Sequence, residues 1–233
     1  MKSTPLVLAV LAISGAAGCK KTVNHEEFET FVTTRVTAMG LTPGKVSCPS
    51  DIEGKAGNTF VCTVPIEKWS YDLKITITSV ENDRAQMDTA WVRGASLLRH
   101  KLEEGAKKLY ENVDAHCGDE PLIFLVDGKA SCTLAAGKTV TTVTFTYDDK
   151  LVVTNTKFDP PVLSRVRLEG ILEPEVGEQL KTPVELACGA DAIIVRPADG
   201  FVWCDLTAGD KHGRIRATVT PDLDVTHWDI PTD

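Results

Sequence analysis

The sequence predicts an α+β protein made of three tandem repeats, each one helix packed on a small antiparallel sheet of about four strands with one disulfide. Three observations predict it. Six of the seven cysteines fall into the pairs Cys48/Cys62, Cys117/Cys132 and Cys188/Cys204, separated by 14, 15 and 16 residues. First members recur 69 and 71 residues apart and second members 70 and 72 apart, as a duplicated structural unit requires. Ahead of each pair apolar residues recur with a helical period, and behind it they alternate with small polar residues at period two.

The helices come first in each unit. Asn24 with Glu27 makes a capping box, followed by Phe28, Val32, Val36 and Met39 on one stripe. In the second unit the stripe is Leu98, Leu102, Ala106 and Leu109. The third has Leu168, Leu172, Val176 and Leu180, but Pro174 falls inside it and is expected to kink or split that helix.

Strands follow. Leu73, Ile75 and Ile77 alternate with polar residues in the first unit, Val143, Phe145 and Tyr147 in the second, and Ile215, Ala217 and Val219 in the third. Strict period two means a sheet with one buried face. By the same parity Trp69 and Tyr71 belong to the buried face of the first sheet. An aromatic residue closes each unit: Trp91, Phe158 and Trp228. The segments are therefore 19–91, 92–159 and 160–233, with no Gly/Ser-rich linker between them.

Each unit is expected to close its own disulfide, giving Cys48–Cys62, Cys117–Cys132 and Cys188–Cys204. A domain near 70 residues buries too little surface to be comfortably stable. Cross-linking a loop of about 15 residues adds roughly 3 kcal/mol in the chain-entropy model, a large share of what so small a core supplies.

Disulfides need an oxidising compartment, and the start of the chain supplies an export signal. Residues 1–18 read as a leader, with Lys2 as the positive region, Leu6 to Ile13 as the apolar region and small residues Ser14 to Gly18 after it. That apolar run is too short to span a bilayer. Ala16-Ala17-Gly18-Cys19 resembles the cleavage site of bacterial lipoprotein precursors, which implies that Cys19 is lipidated and anchors the protein to a membrane. About five residues then separate Cys19 from the first helix, a reach of roughly 17 Å, so the first unit is expected to sit close to the membrane surface. The expected location is the bacterial cell envelope, facing the periplasm or the exterior.

The stretch Val46-Ser47-Cys48-Pro49-Ser50-Asp51-Ile52, continued by Gly54-Lys55-Ala56-Gly57-Asn58-Thr59-Phe60-Val61-Cys62-Thr63-Val64, resembles a bacterial lipoprotein module, the domain-of-unknown-function family 4333. The second and third units lack the proline after the first cysteine and match it only in cysteine spacing and strand pattern. The resemblance implies a membrane-tethered setting and one disulfide. It implies no catalytic residues.

Net charge is -8, from 33 acidic against 25 basic residues, which argues against nucleic acid as a partner. Most of that charge lies in 160–233, with thirteen acidic and seven basic residues. Gly137-Lys138-Thr139 looks like the end of a phosphate loop, but Cys132 stands where its partner glycine belongs, and a hairpin turn is expected instead. His25, His100, His116, His212 and His227 lack metal-ligand spacing, and Asp222, Asp224 and Asp229 do not follow a calcium loop. No nucleophile elbow occurs and the thiols are committed to disulfides, so neither catalytic residue nor cofactor is expected. Phe201 and Trp203 are the candidate partner-facing residues. Val202, Cys204 and Leu206 share the buried parity, which turns Phe201 and Trp203 to the other face, either covered by a neighbouring unit or open to a partner. The functional expectation is a non-enzymatic, lipid-anchored envelope protein whose units make protein or envelope contacts. The alternative is an inhibitor of an extracytoplasmic enzyme.

Overall fold

The computed structural model describes residues 13–14, 22–81 and 84–231. Cys19 and all of the expected leader except Ile13 and Ser14 lie outside the described residues. Among the described residues helices and antiparallel sheets are mixed, with three helices and three disulfides. The elements run as β1 (Ile13–Ser14), β2 (Thr22–Val23), α1 (His25–Ala38), β3 (Thr59–Ile66), β4 (Trp69–Glu81) and β5 (Arg84–Trp91). Next come β6 (Ser96–Leu98), α2 (Arg99–Lys107), β7 (Asp114–His116), β8 (Leu122–Phe124), β9 (Lys129–Ala136), β10 (Thr139–Tyr147) and β11 (Val153–Asp159). The last stretch holds β12 (Val162–Ser164), α3 (Arg165–Leu180), β13 (Glu185–Ala187), β14 (Ile193–Val195), β15 (Phe201–Ala208), β16 (Lys211–Val219) and β17 (Val225–Asp229).

Two compact units form. One takes the described residues up to Leu97 together with Glu120–Leu125, and the other takes Leu98–Asp119 and the described residues from Val126 onward.

In the first unit the sheet is β3-β4-β5, and a bridge from Ser47 to Thr63 adds a partner beside β3. Helix α1 starts at Asn24, whose side chain accepts the N–H of Glu26 at 3.1 Å and of Glu27 at 3.5 Å, satisfying donors that the first helical turn leaves open. Phe28, Val32 and Val36 are buried, and the Phe28 ring meets Phe60 edge-on at 4.9 Å. On β4, Tyr71, Leu73, Ile75 and Ile77 are buried while Trp69 is half-buried. Segment Glu120–Leu125 joins this core through buried Leu122 and through the Leu125 N–H, which donates to the Ala95 carbonyl at 3.0 Å.

The second unit contains two four-stranded sheets, β7-β9-β10-β11 and β13-β15-β16-β17. Their registers agree at the cystines: Cys132 faces Val143 across β9 and β10, and Cys204 faces Ile215 across β15 and β16. Leu102 and Ala106 of α2 are buried. From α3, Leu168, Leu172 and Val176 pack with Leu186, Val202, Leu206, Ile215, Ala217 and Val219 in one cluster. Each leucine, isoleucine or valine of the cluster contributes about 1.5–3 kcal/mol on burial. Contrary to the expected split, α3 is continuous from Arg165 to Leu180 with Pro174 inside it. The proline removes the hydrogen bond that the Gly170 carbonyl would accept, but Leu168 and Leu172 before it and Val176 after it share one core, which keeps both halves in one helix.

Cystines Cys48–Cys62, Cys117–Cys132 and Cys188–Cys204 hold Cα atoms 4.3, 4.1 and 4.0 Å apart. A further contact recurs beside each one. Glu29 of α1 accepts the N–H of Cys48 at 3.1 Å, Glu103 of α2 that of Cys117 at 3.2 Å, and Glu169 of α3 that of Cys188 at 2.9 Å. Each glutamate follows a buried residue of its helix (Phe28, Leu102 and Leu168), so the same turn that faces the core also reaches over to the cystine.

Candidate functional site

The aromatic residues singled out in the sequence lie on β15, where Val202, Cys204 and Leu206 point into the core and Phe201, Trp203 and Asp205 point away from it. Trp203 is 41% exposed, an uncommon state for a tryptophan, and Phe201 is half-buried. Across the ladder Trp203 stands opposite Arg216, and Asp205 opposite Arg214. One strand further, Arg216 stands opposite Asp229.

These pairings build a single row of interleaved rings and charges. The Arg216 guanidinium lies 4.7 Å from the Phe201 ring centre and 6.0 Å from that of Trp203, while Arg214 lies 5.0 Å from Trp203. Both arginines are also ion-paired. Arg216 donates Nε and Nη2 to the two carboxylate oxygens of Asp229 at 3.1 and 2.6 Å, and Arg214 reaches Asp205 at 3.3 Å. The bidentate bond from Arg216 holds the Asp229 carboxyl below the ordinary carboxylate range. Stacking on rings and ion pairing together restrict two otherwise mobile side chains, so the row is an ordered surface.

The other sequence candidates fall elsewhere. Gly137-Lys138-Thr139 is the hairpin turn between β9 and β10, and it grips a carboxylate of the chain itself. Asp191 accepts from the Lys138 N–H at 3.2 Å, the Thr139 N–H at 3.2 Å and the Thr139 hydroxyl at 2.9 Å. Gly137 has φ of 59°, and a Cβ there would collide with the Asp191 carboxylate. The turn therefore does bind an anion, one supplied three residues after Cys188. Glu120, three residues after Cys117, has a comparable place in the first unit. It accepts from the Tyr71 hydroxyl at 3.1 Å and pairs with Arg93 at 3.1 Å. Burial, reinforced by that bond, pushes the Tyr71 hydroxyl up to about 12. Asp229 is drawn to Arg216 rather than to Asp222 or Asp224. His25, His116 and His212 contact Glu29, Asp119 and the Thr207 hydroxyl respectively. Among the described residues no three His, Cys, Asp or Glu side chains converge as ligands of a metal would, and no helix is long and apolar enough to cross a membrane.

Sequence reading missed the three glutamates at the cystines and the acids at Glu120 and Asp191. The former leave a faint trace, since an acidic residue follows one core residue of each helical stripe. The latter share a fixed offset from the first cysteine.

A family model described as a domain of unknown function, DUF4333, matches residues 6–82, the stretch that includes α1, the Cys48–Cys62 bond and β3. No curated protein and no solved structure matches the chain.

Proposed function

We propose that this chain is a non-enzymatic lipoprotein of the bacterial envelope, anchored through lipid on Cys19 and presenting three copies of one disulfide-closed helix-on-sheet module. The outer face of the third sheet is its protein-contact surface. Support for the copies comes from the matching strand order of the two four-stranded sheets, the common register at the cystines and the glutamate that reaches each first cysteine. Support for the location comes from the leader, the lipoprotein-type cleavage site and the three disulfides, which persist in oxidising compartments. The observation that carries the contact surface is the exposed Trp203 framed by Arg214 and Arg216, because tryptophan and arginine dominate binding energy at protein interfaces.

The decisive experiment is capture from detergent-solubilised envelopes with the intact protein and its Trp203→Ala variant as bait. The reading expects one stoichiometric protein partner that the variant loses. Equal capture by both proteins refutes the surface, and capture of a soluble hydrolase instead selects inhibition as the function. Replacing Cys19 with Ala tests the anchor separately: the protein should move to the soluble fraction, and membrane retention defeats that part.

A further inference from the structure

Beyond the partner face, and independent of it, we propose that the cleft beside α3 in the second unit binds a small amphiphile with one anionic head, such as a medium-chain carboxylic acid. The cleft has a volume of about 440 Å³, within the range of small-molecule sites. Its lining is mixed: Phe158 from β11, Val162 from β12, Leu168 and Ile171 from α3, Leu223 just before β17 and Val225 in it are apolar, while Thr156, Ser164, Arg167 and Asp224 are polar. Tyr110 floors one side, held there by a bond from its hydroxyl to the Val162 carbonyl at 3.1 Å and by edge-on contact with Phe158 at 5.5 Å. That hydroxyl already has its acceptor, so the floor offers a ligand mainly apolar surface.

Charge decides which amphiphile fits. Five other arginines of this unit are engaged: Arg99 with the Asp119 carbonyl, Arg165 with Gly189 and Ala190 carbonyls, Arg196 with Val219 and Thr220 carbonyls, and Arg214 and Arg216 with carboxylates. Arg167 also lines the cleft, yet its guanidinium has no hydrogen-bond or carboxylate partner among the described residues. Its fork of donors is suited to a carboxylate. Asp224 lies on the same rim, which disfavours a second negative charge and restricts the head to a monoanion. Ile171 is 39% exposed at this cleft, apolar surface that an alkyl chain would cover.

A free acid and the acyl chain of an anionic bilayer lipid offer the same chemistry, so the test separates them. The Cys19→Ala chain, labelled with 15N, is titrated with decanoate below its micelle concentration. Saturable shifts are expected at amides of 164–171 and 223–225, with no comparable response to decyltrimethylammonium. Arg167→Gln should weaken decanoate roughly tenfold, the scale of one hydrogen bond to a charged group. Ile171→Asp, also a surface substitution, should abolish binding. The proposal is overturned by unsaturable or scattered shifts, by equal binding of the cationic amphiphile, or by an unchanged affinity in Arg167→Gln. Binding to phosphatidylglycerol vesicles with no response to decanoate overturns it as well.

Discussion

The sheet that carries Cys132 and the sheet that carries Cys204 share strand order, cystine position and register, yet their outward rows have little in common. Where β9 and β10 turn out Lys129, Ser131, Thr133, Thr142 and Thr144, the matching positions of β15 and β16 hold Phe201, Trp203, Asp205, Arg214 and Arg216. The inward rows keep the same character, Cys132 against Val143 and Cys204 against Ile215. Period two makes this possible, because alternate residues face opposite sides and one face can change without disturbing the other. Stability is thus written on the inner rows, which leaves the outer rows free to differ, and β15 and β16 fill theirs with two aromatic rings and two arginines.

The comparison breaks most severely at the cystines. Replacing both cysteines of either pair, Cys117→Ala with Cys132→Ala or Cys188→Ala with Cys204→Ala, should cost about 3 kcal/mol in urea unfolding, because the closed loops are of nearly equal length. A loss confined to one sheet contradicts a shared frame.

The glutamates come next. Glu103→Ala and Glu169→Ala each leave a part-buried cysteine N–H without its acceptor, and the expected loss is about 1–2 kcal/mol. The glutamine variants keep an acceptor oxygen and should recover most of it. Denaturation showing no difference between alanine and glutamine would contradict the role.

Asp191→Ala should cost roughly 1 kcal/mol, since the lost bonds are charge-assisted but close to solvent. Hydrogen exchange should speed up at the Lys138 and Thr139 amides; unchanged exchange there breaks the clamp.

The first sheet sharpens the contrast through pH. Tyr71 has its hydroxyl pushed up to about 12 in the folded chain, above the ordinary tyrosine value near 10. A raised pKa means that its contribution is complete below the unfolded value and lost as pH rises through the folded one, so the sensitive window is about pH 10 to 12. Burial raises all three tyrosines, so ultraviolet titration should find tyrosine ionisation late as a whole with Tyr71 last, and Glu120→Gln should bring Tyr71 down. Thr141 of β10 has nothing to titrate and bonds the Pro160 carbonyl instead.

Smallest in stability is Trp203→Ala, expected within about 0.5 kcal/mol of the parent because an exposed outward position supports little of the core. A loss of several kcal/mol would make Trp203 a structural residue instead.

Much of the frame was legible. Phe28, Val32 and Val36, the alternation of Leu73, Ile75 and Ile77, and the cysteine spacing all follow from fixed geometric periods. Helix ends were not, because Met39, Leu109 and Leu180 continue the apolar period into exposed positions where the helix has finished or is finishing. Pro174 does not split α3 because Leu168, Leu172 and Val176, on both sides of it, share one core, which a local pattern does not record. Strands of three residues such as β7, β8 and β12 are too short to show any period. Parity placed Trp203 on the outer face, but whether a neighbour covers it depends on packing between distant segments, which no local pattern records. The Gly137-Lys138-Thr139 turn announced an affinity for anions without saying that Asp191 would meet it.

Site-specific photo-crosslinking in intact envelopes tests the difference between the two sheets most directly, with the reactive residue placed at position 203 in one protein and at the matching position 131 in another. A discrete protein adduct at 203 and none at 131 is the predicted result. Adducts of equal yield at both positions, or none at 203, would contradict a recognition surface on the third sheet.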